Sequence, residues 1–341
     1  MRCPDLQDLP PHPPGRNGWP WDIEPIPSST QFANNDPLPK ISIVTPSFNQ
    51  GGFLEETIRS VLLQGYPELE YIVIDGGSTD DSVEIIKKYS PWLHYWISEP
   101  DKGQSSAINK GFQMATGSLY AYINSDDLYE PCAFLSAATE FMKPERPQLL
   151  AGDCIIFDES VVKRTFKAWW PEEIGHLLKP FGSTFPQPAA FWSRDIYFQV
   201  GGFDENSHYV FDREFFLKIG LTGKAPLIVG KPLARYRDHA DTKTAQTVRF
   251  YQESLPVIEK YADQCGLTNQ DKQALMRICQ DEIGYLSVFI RWKQAGRAAG
   301  LAEFCRLLLR SPWLVTERKI MGQFRRLLFF REQGVEELRH V

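Results

Sequence analysis

The sequence predicts an α/β fold: a mostly parallel β-sheet covered by helices on both faces, followed by a C-terminal helical region. Three observations carry this. Between residues 40 and 130, short apolar runs that end in acids or turn residues alternate with amphipathic stretches of helical period, the pattern of strands buried on both faces and joined by crossover helices. Beyond about residue 245 the strand-like runs stop and only helical patterning continues. Finally, 341 residues with 43% hydrophobic content suffice for one large core plus additional segments.

The elements follow in order. Lys40 to Pro46 reads as a strand, with a turn through Asn49. Phe53 to Gln64 then reads as a helix with Phe53, Leu54, Ile58, Val61 and Leu62 on one side. Glu70 to Asp75 is a continuous apolar strand ending in an acid; Gly76 and Gly77 turn the chain, and Ser78 to Asp81 offer capping oxygens for a helix reaching Tyr89. His94 to Ile97 is a third strand, leading through Pro100-Asp101-Lys102-Gly103 into a helix over Gln104 to Ala115. Leu119 to Asn124 is an aromatic-rich strand that runs into Asp126 and Asp127. In an open α/β sheet ligands bind outside the carboxyl ends of the strands, and paired Asp oxygens suit a hard cation that also holds phosphate. Asp and Asn are also ordinary turn residues, so the spacing alone leaves both meanings open. Four helices are expected in the C-terminal region, over 247–262, 269–293, 297–310 and 313–331. Residues 1–38, rich in Pro, Asn, Asp and Ser and without a charged-then-apolar leader, read as an extended arm.

The motifs Ile41 to Asn49 (ISIVTPSFN), Glu56 to Leu63, Ile72 to Asp80 (IVIDGGSTD), Asp101 to Gly111 (DKGQSSAINKG) and Asn124 to Asp127 (NSDD) stand in this order. Together they resemble the family 2 glycosyltransferases, whose members have the glycosyltransferase-A fold with its Rossmann-like sheet. A distal set, Gln187 to Trp192, Val200 to Glu205, Phe211 to Glu214 and Arg235 to His239, is similar to the acceptor half of bacterial members that build surface polysaccharides. The resemblance implies a catalytic domain over 39–245, with a nucleotide-sugar half at 39–130 and an acceptor half at 131–245. The implied reaction moves a sugar, with inversion, from a nucleotide-diphospho sugar to a hydroxyl of a polysaccharide or lipid-linked glycan. Thr45, Pro46, Ser47, Asn49, Asp75, Gly76, Lys102, Gln104, Asn109, Asn124, Ser125 and Asp126 are the implied donor contacts. Mn²⁺ or Mg²⁺ is expected on Asp127, Asp126 and His239. On the acceptor side, the prolines, aromatics and amide of Phe185 to Trp192 point to Gln187 and Trp192, with His208 joining by position, although a rigid loop packing its own Trp is the reading favoured residue by residue.

A displacement of this kind needs a base for the attacking hydroxyl. By resemblance Asp212 takes that role with Glu214 in reserve, although Asp212 also suits the N-cap of the helix that begins there. Lys102 and His239 each read equally well as a site residue or as a solvated or structural side chain. Two departures from the family pattern bear on the donor. Gly76 stands where many relatives carry a second acid that can read the nucleotide base, and Asn124 stands where many carry an Asp, leaving one fewer charge beside the cation.

The net charge of −6 argues against a nucleic-acid binder, whose footprint is basic. The six cysteines are dispersed, with no CxxC pair, and read as reduced thiols of a cytoplasmic protein. Residues 297–331 hold eight Lys or Arg against two Glu, interleaved with apolar residues. Such helices either pack on a core or lie on the anionic inner face of a membrane. Two other functions fit an α/β sheet with acidic strand ends. One is a nucleotidyltransferase, which needs a basic glycine-rich loop that Thr45 to Gly52 lacks; the other is a nucleotide-sugar or glycan-binding module without catalysis.

Overall fold

A computed structural model describes residues 4–23, 37–158, 161–180, 184–239 and 247–316. The expected helix over 313–331 lies outside these residues from 317 onward; its first residues belong to a 3-10 turn, Pro312–Thr316. The chain divides into two compact units, one of residues 1–177 with 183–239 and one of residues 178–182 with 240–341.

The first unit holds the sheet. Its elements are β1 (Ile41–Ser47), α1 (Gly51–Leu62), β2 (Leu69–Asp75), α2 (Ser82–Tyr89), β3 (Tyr95–Ser98), α3 (Gln104–Met114), β4 (Leu119–Tyr122) and β5 (Leu128–Tyr129). There follow α4 (Ala133–Phe141), β6 (Leu149–Asp158), β7 (Val161–Phe166), β8 (Ala190–Ser193), α5 (Arg194–Gln199), α6 (Phe211–Leu221) and β9 (Leu227–Arg237). Among the described residues the strands form one sheet in the order β3-β2-β1-β4-β8-β6-β9-β5, with β7 pairing on β6. The pairs β1–β2, β1–β4 and β2–β3 are parallel, while β8 runs antiparallel to β4 and β6. The sheet is therefore mixed: parallel where the βα alternation was legible, and beyond it antiparallel except for the parallel pair β6–β9.

Alternation along the strands sorts the core into two layers. Ile43, Tyr71 and Val73 face a cluster with Leu54, Ile58 and Val61 of α1, Ile86 and Tyr89 of α2 and Phe134 of α4. Val44, Ile72 and Ile74 face the opposite cluster, with Ile108 and Phe112 of α3, Tyr120 and Tyr122 of β4, and Phe215 and Phe216 of α6. Helices on both faces are what continuous apolar strands demand.

The described part of the N-terminal stretch lies along α1. Arg59, 1% exposed, donates to the carbonyls of Pro10, Pro20 and Trp21, and Trp19 Nε1 donates to Tyr129 O at 2.8 Å. A buried guanidinium needs such acceptors, and here main-chain carbonyls of residues 10–21 supply them.

The second unit contains α7 (Thr247–Tyr261) and α8 (Asn269–Arg310). Thr268 and Asp271 form a reciprocal capping box at the start of α8. The helix breaks at Gly296, with φ at 82°, a conformation that glycine adopts without strain; the break falls between the two helices expected over 269–293 and 297–310. No helix of the described residues is long and apolar enough to cross a membrane.

Candidate active site

The carboxyl ends of β1, β2 and β4 point to one rim of the sheet, and the loops that leave them are knitted together. Asn49, at φ 52°, has its N–H bound by Ser78 Oγ at 2.8 Å and accepts from Thr79 N–H at 2.8 Å, so the loop after β1 is tied to the loop after β2. Thr45 and Ser47 are buried within β1 with Pro46; Thr45 Oγ1 meets the Tyr71 hydroxyl at 3.0 Å. Ser47 Oγ is a buried hydroxyl without a protein partner at the end of that strand.

Asp75 does not present a carboxylate to solvent. It is fully buried and accepts from Gly77 N–H, Ser78 N–H, Ser78 Oγ and Ser98 Oγ, so it builds the turn after β2. At Gly76 a Cβ would stand 3.1 Å from Asp101 Oδ2 and 3.3 Å from the Phe48 ring, so a side chain there would crowd these two exposed neighbours. Lys102 is exposed in the loop before α3. Gly103 follows at φ 118°, and a Cβ there would meet His208 Nδ1 at 3.2 Å. His208 thus lies against the donor-side loop, and Ser105 Oγ binds Ser207 O at 3.2 Å beside it.

The acidic turn after β4 is an ordered network. Gln104 Nε2 donates to Asn124 Oδ1, and Asn124 Nδ2 donates to Asp127 Oδ2 at 3.1 Å. Asp127 Oδ1 accepts the Arg237 N–H at 3.0 Å, while Thr57 Oγ1 binds Asp127 O at 2.8 Å. Asp127 is 1% exposed. Burial drives its carboxyl well above the usual carboxylate range and the adjacent Asp126 charge adds to this; the Arg237 N–H, the Asn124 amide and the Arg237 charge oppose it. Asp127, expected as the principal cation contact, therefore has both oxygens turned to protein donors. Asp126 is the more accessible acid, and its Oδ2 lies 3.1 Å from His239 Nε2, which the end of β9 brings across the sheet. Ser125, which precedes Asp126, is buried.

The chemistry of this donor set suits Mn²⁺ or Mg²⁺ in a particular way. A carboxylate and an imidazole are acceptable ligands for Mn²⁺, and a carboxylate alone for Mg²⁺. Among the described residues no three His, Cys, Asp or Glu side chains converge as a metal cluster. Two protein donors are what a cation needs when substrate phosphates complete its shell.

Asp212 is the second residue of α6, not its N-cap, which is Val210 without a side-chain cap. It is half-buried, and its Oδ1 accepts the Arg213 N–H at 2.7 Å. Its charge reaches Tyr122 at the end of β4: burial raises the Tyr122 hydroxyl well above its ordinary value, and the charges of Asp212 and then Asp127 raise it further. Glu214, 3% exposed, is buried within α6.

Three of the expected contacts, Trp192, Asn109 and Gln187, are engaged by protein. Trp192 is fully buried, with its ring 5.1 Å from Phe215 and 5.9 Å from Phe112, so it offers no face to a sugar; its place is in the core. Asn109 is used up locally, donating to Phe203 O and accepting from Tyr197 Oη and Phe203 N–H, and it fastens α3 to the loop before α6. Gln187 is buried too, its Nε2 binding Tyr122 O at 2.7 Å while its Oε1 has no protein partner.

Sequence reasoning missed Arg237, Glu56 and Phe53. Arg237 Nε donates to Asp126 O at 2.9 Å and Nη2 pairs with Glu56 Oε2 at 2.8 Å, with the guanidinium 5.0 Å from the Phe53 ring. The signal was present: Arg237 and His239 are two apart on one extended segment, the spacing that places side chains on one side.

The profile of glycosyl transferase family 2 matches residues 42–201. The chain is 32% identical over 185 residues to an uncharacterized glycosyltransferase of Mycobacterium tuberculosis, covering 54% of this chain and 70% of that protein. It is 35% identical over 95 residues to a putative teichuronic acid biosynthesis glycosyltransferase of Bacillus subtilis, 27% of this chain and 38% of that one. The fold is similar to that of a mannosyltransferase from Pyrobaculum calidifontis solved in complex with GDP-Man and Mn²⁺, with a TM-score of 0.51 over 92% of this chain and 91% of that chain at 19% identity. With its motifs in order along a sheet of this topology, the chain belongs to glycosyl transferase family 2 and has the glycosyltransferase-A fold.

Proposed function

We propose that the protein transfers a glycosyl group, with inversion, from a nucleotide-diphospho sugar to a hydroxyl of a polysaccharide or lipid-linked glycan. One observation supports this reading: Phe211, the neighbour of Asp212 at the start of α6, has its ring 6.3 Å from that of Tyr122, the last residue of β4 before the acidic turn. Asp126 and His239 would hold the cation. Bound there, it would neutralise charge developing on the departing diphosphate. Asp212 takes the proton of the acceptor hydroxyl, whose oxygen bonds the anomeric carbon as the bond to the diphosphate breaks on the opposite face.

Support for the donor class comes from family membership and from the mannosyltransferase solved with GDP-Man and Mn²⁺. Support for a surface-glycan acceptor comes from the teichuronic acid relative. A lipid-linked acceptor would bring the basic stretch after Gly296 to a membrane surface; within its described part, Leu309 and Trp313 are exposed. Neither nucleotidyl transfer nor loss of catalysis draws comparable support.

The test is transfer and donor hydrolysis across UDP- and GDP-sugars with Mn²⁺, with and without chelator. Turnover of one donor, abolished by chelation and giving an inverted product, is expected. A retained anomeric configuration, or chelator-resistant turnover, would overturn the corresponding part.

A further inference from the structure

Asp126 lies in the turn after β4 and His239 just beyond the end of β9, so something must set their separation. One side chain touches the supports of both. Arg237, 4% exposed, donates through Nε to Asp126 O at 2.9 Å, and its own N–H binds Asp127 Oδ1 at 3.0 Å. These bonds fix the main chain that carries the Asp126 carboxylate. The same guanidinium lies 5.0 Å from the centroid of Phe53, and the His239 ring packs on that phenyl at 4.8 Å. Glu56 on α1 pins Nη2 at 2.8 Å, and Phe157 of β6 lies 4.5 Å from the guanidinium carbon. The head group is thus held in one orientation from several directions.

We propose that Arg237 is a positioning residue for the divalent cation, holding Asp126 through its main chain and His239 through the Phe53 ring. The inference rests on the assignment of the cation to Asp126 and His239 made above. Its physical basis is the shape of the guanidinium. Asp126 O, Glu56 and the Phe53 face lie in different directions, and a planar fork of donors with an aromatic-stacking face serves them together. An ammonium carries the same charge at one point and cannot. Arg237→Lys therefore separates geometry from charge: a residue that only compensated the three nearby carboxylates would be replaced by lysine without consequence.

The experiment measures Mn²⁺ binding to the full chain by the loss of the free-ion electron paramagnetic resonance signal, with UDP or GDP present, alongside rates and thermal unfolding. Supporting side chains around metal ligands typically govern about 10- to 100-fold in affinity. Arg237→Lys is expected to weaken Mn²⁺ binding at least about tenfold on that scale and to raise the Mn²⁺ concentration for half-maximal rate. kcat should recover at saturating Mn²⁺. Phe53→Leu keeps apolar volume on α1 but removes the ring between Arg237 and His239, and its Mn²⁺ affinity should fall as well. Wild-type affinity in Arg237→Lys, or a loss of kcat that Mn²⁺ does not restore, overturns the proposal. Should Arg237→Lys fail to fold, Phe53→Leu decides alone, and unchanged affinity there overturns it. If the wild type binds no Mn²⁺ with either nucleotide, the cation assignment itself fails and this inference falls with it.

Discussion

Replacing Asp212 by Asn removes one charge while preserving nearly everything else about the site. The side chain is half-buried in the first turn of α6, its Oδ1 accepting the Arg213 N–H, and an amide oxygen can accept that bond in its place. Losing a carboxylate near a helix N-terminus contributes about 0.3–1 kcal/mol to the stability effect. For a protein of this size that corresponds to a shift of no more than about 4 °C in Tm. Losing a general base costs about 10²- to 10⁴-fold in rate, or about 2.7–5.4 kcal/mol of transition-state stabilisation. The catalytic effect should therefore exceed the stability effect severalfold. Initial rates at saturating donor, acceptor and Mn²⁺, with calorimetric donor affinity and a melting curve, measure all three quantities on one sample. The expected result is a collapse of kcat with donor affinity retained. A variant within tenfold of wild-type kcat would refute the assignment, as would Glu214→Gln losing activity while Asp212→Asn keeps it.

Trp192→Phe should lower Tm, because a fully buried indole among Phe112, Phe203 and Phe215 leaves a void when trimmed; the acceptor KM should not move, and a raised KM at unchanged Tm would return Trp192 to the acceptor site. Glu70 tests pH dependence. Burial works to raise its carboxyl, but hydrogen bonds from Ser42 and Thr116 and the nearby His94 prevail and hold it below the usual value. A depressed folded pKa contributes stability above the unfolded value of about 4.3, lost as pH falls through the folded value. Glu70→Gln should therefore lower Tm at pH 7 and narrow its gap to wild type on acidification toward pH 3; a constant gap across that range would show that the charge contributes nothing.

Much of the nucleotide-side half was legible because its determinants are local. The apolar runs at Ile41–Ser47 and Leu69–Asp75, the amphipathic α1 and α3, and the acid-ended β4 each carry their periodicity within a few residues, and parallel pairing follows from strand-helix alternation. The family motifs are likewise contiguous. The break in the long C-terminal helix was readable from Gly296 for the same reason.

What the chain order could not convey is which oxygen of a motif faces substrate and which faces protein. Asp126 and Asp127 are adjacent and chemically identical, yet a donor on β9, 110 residues away, turns Asp127 inward and leaves Asp126 beside His239. Asp75 is consumed by its own turn and by Ser98 of β3, and Trp192 is drawn into the core by aromatic residues of α3 and α6. Sequence determined which residue types arrive at the rim of the sheet, since local propensity and strand periodicity set that. Tertiary structure alone decided their roles, because the partners that satisfy a buried carboxylate come from strands that meet only when the sheet closes.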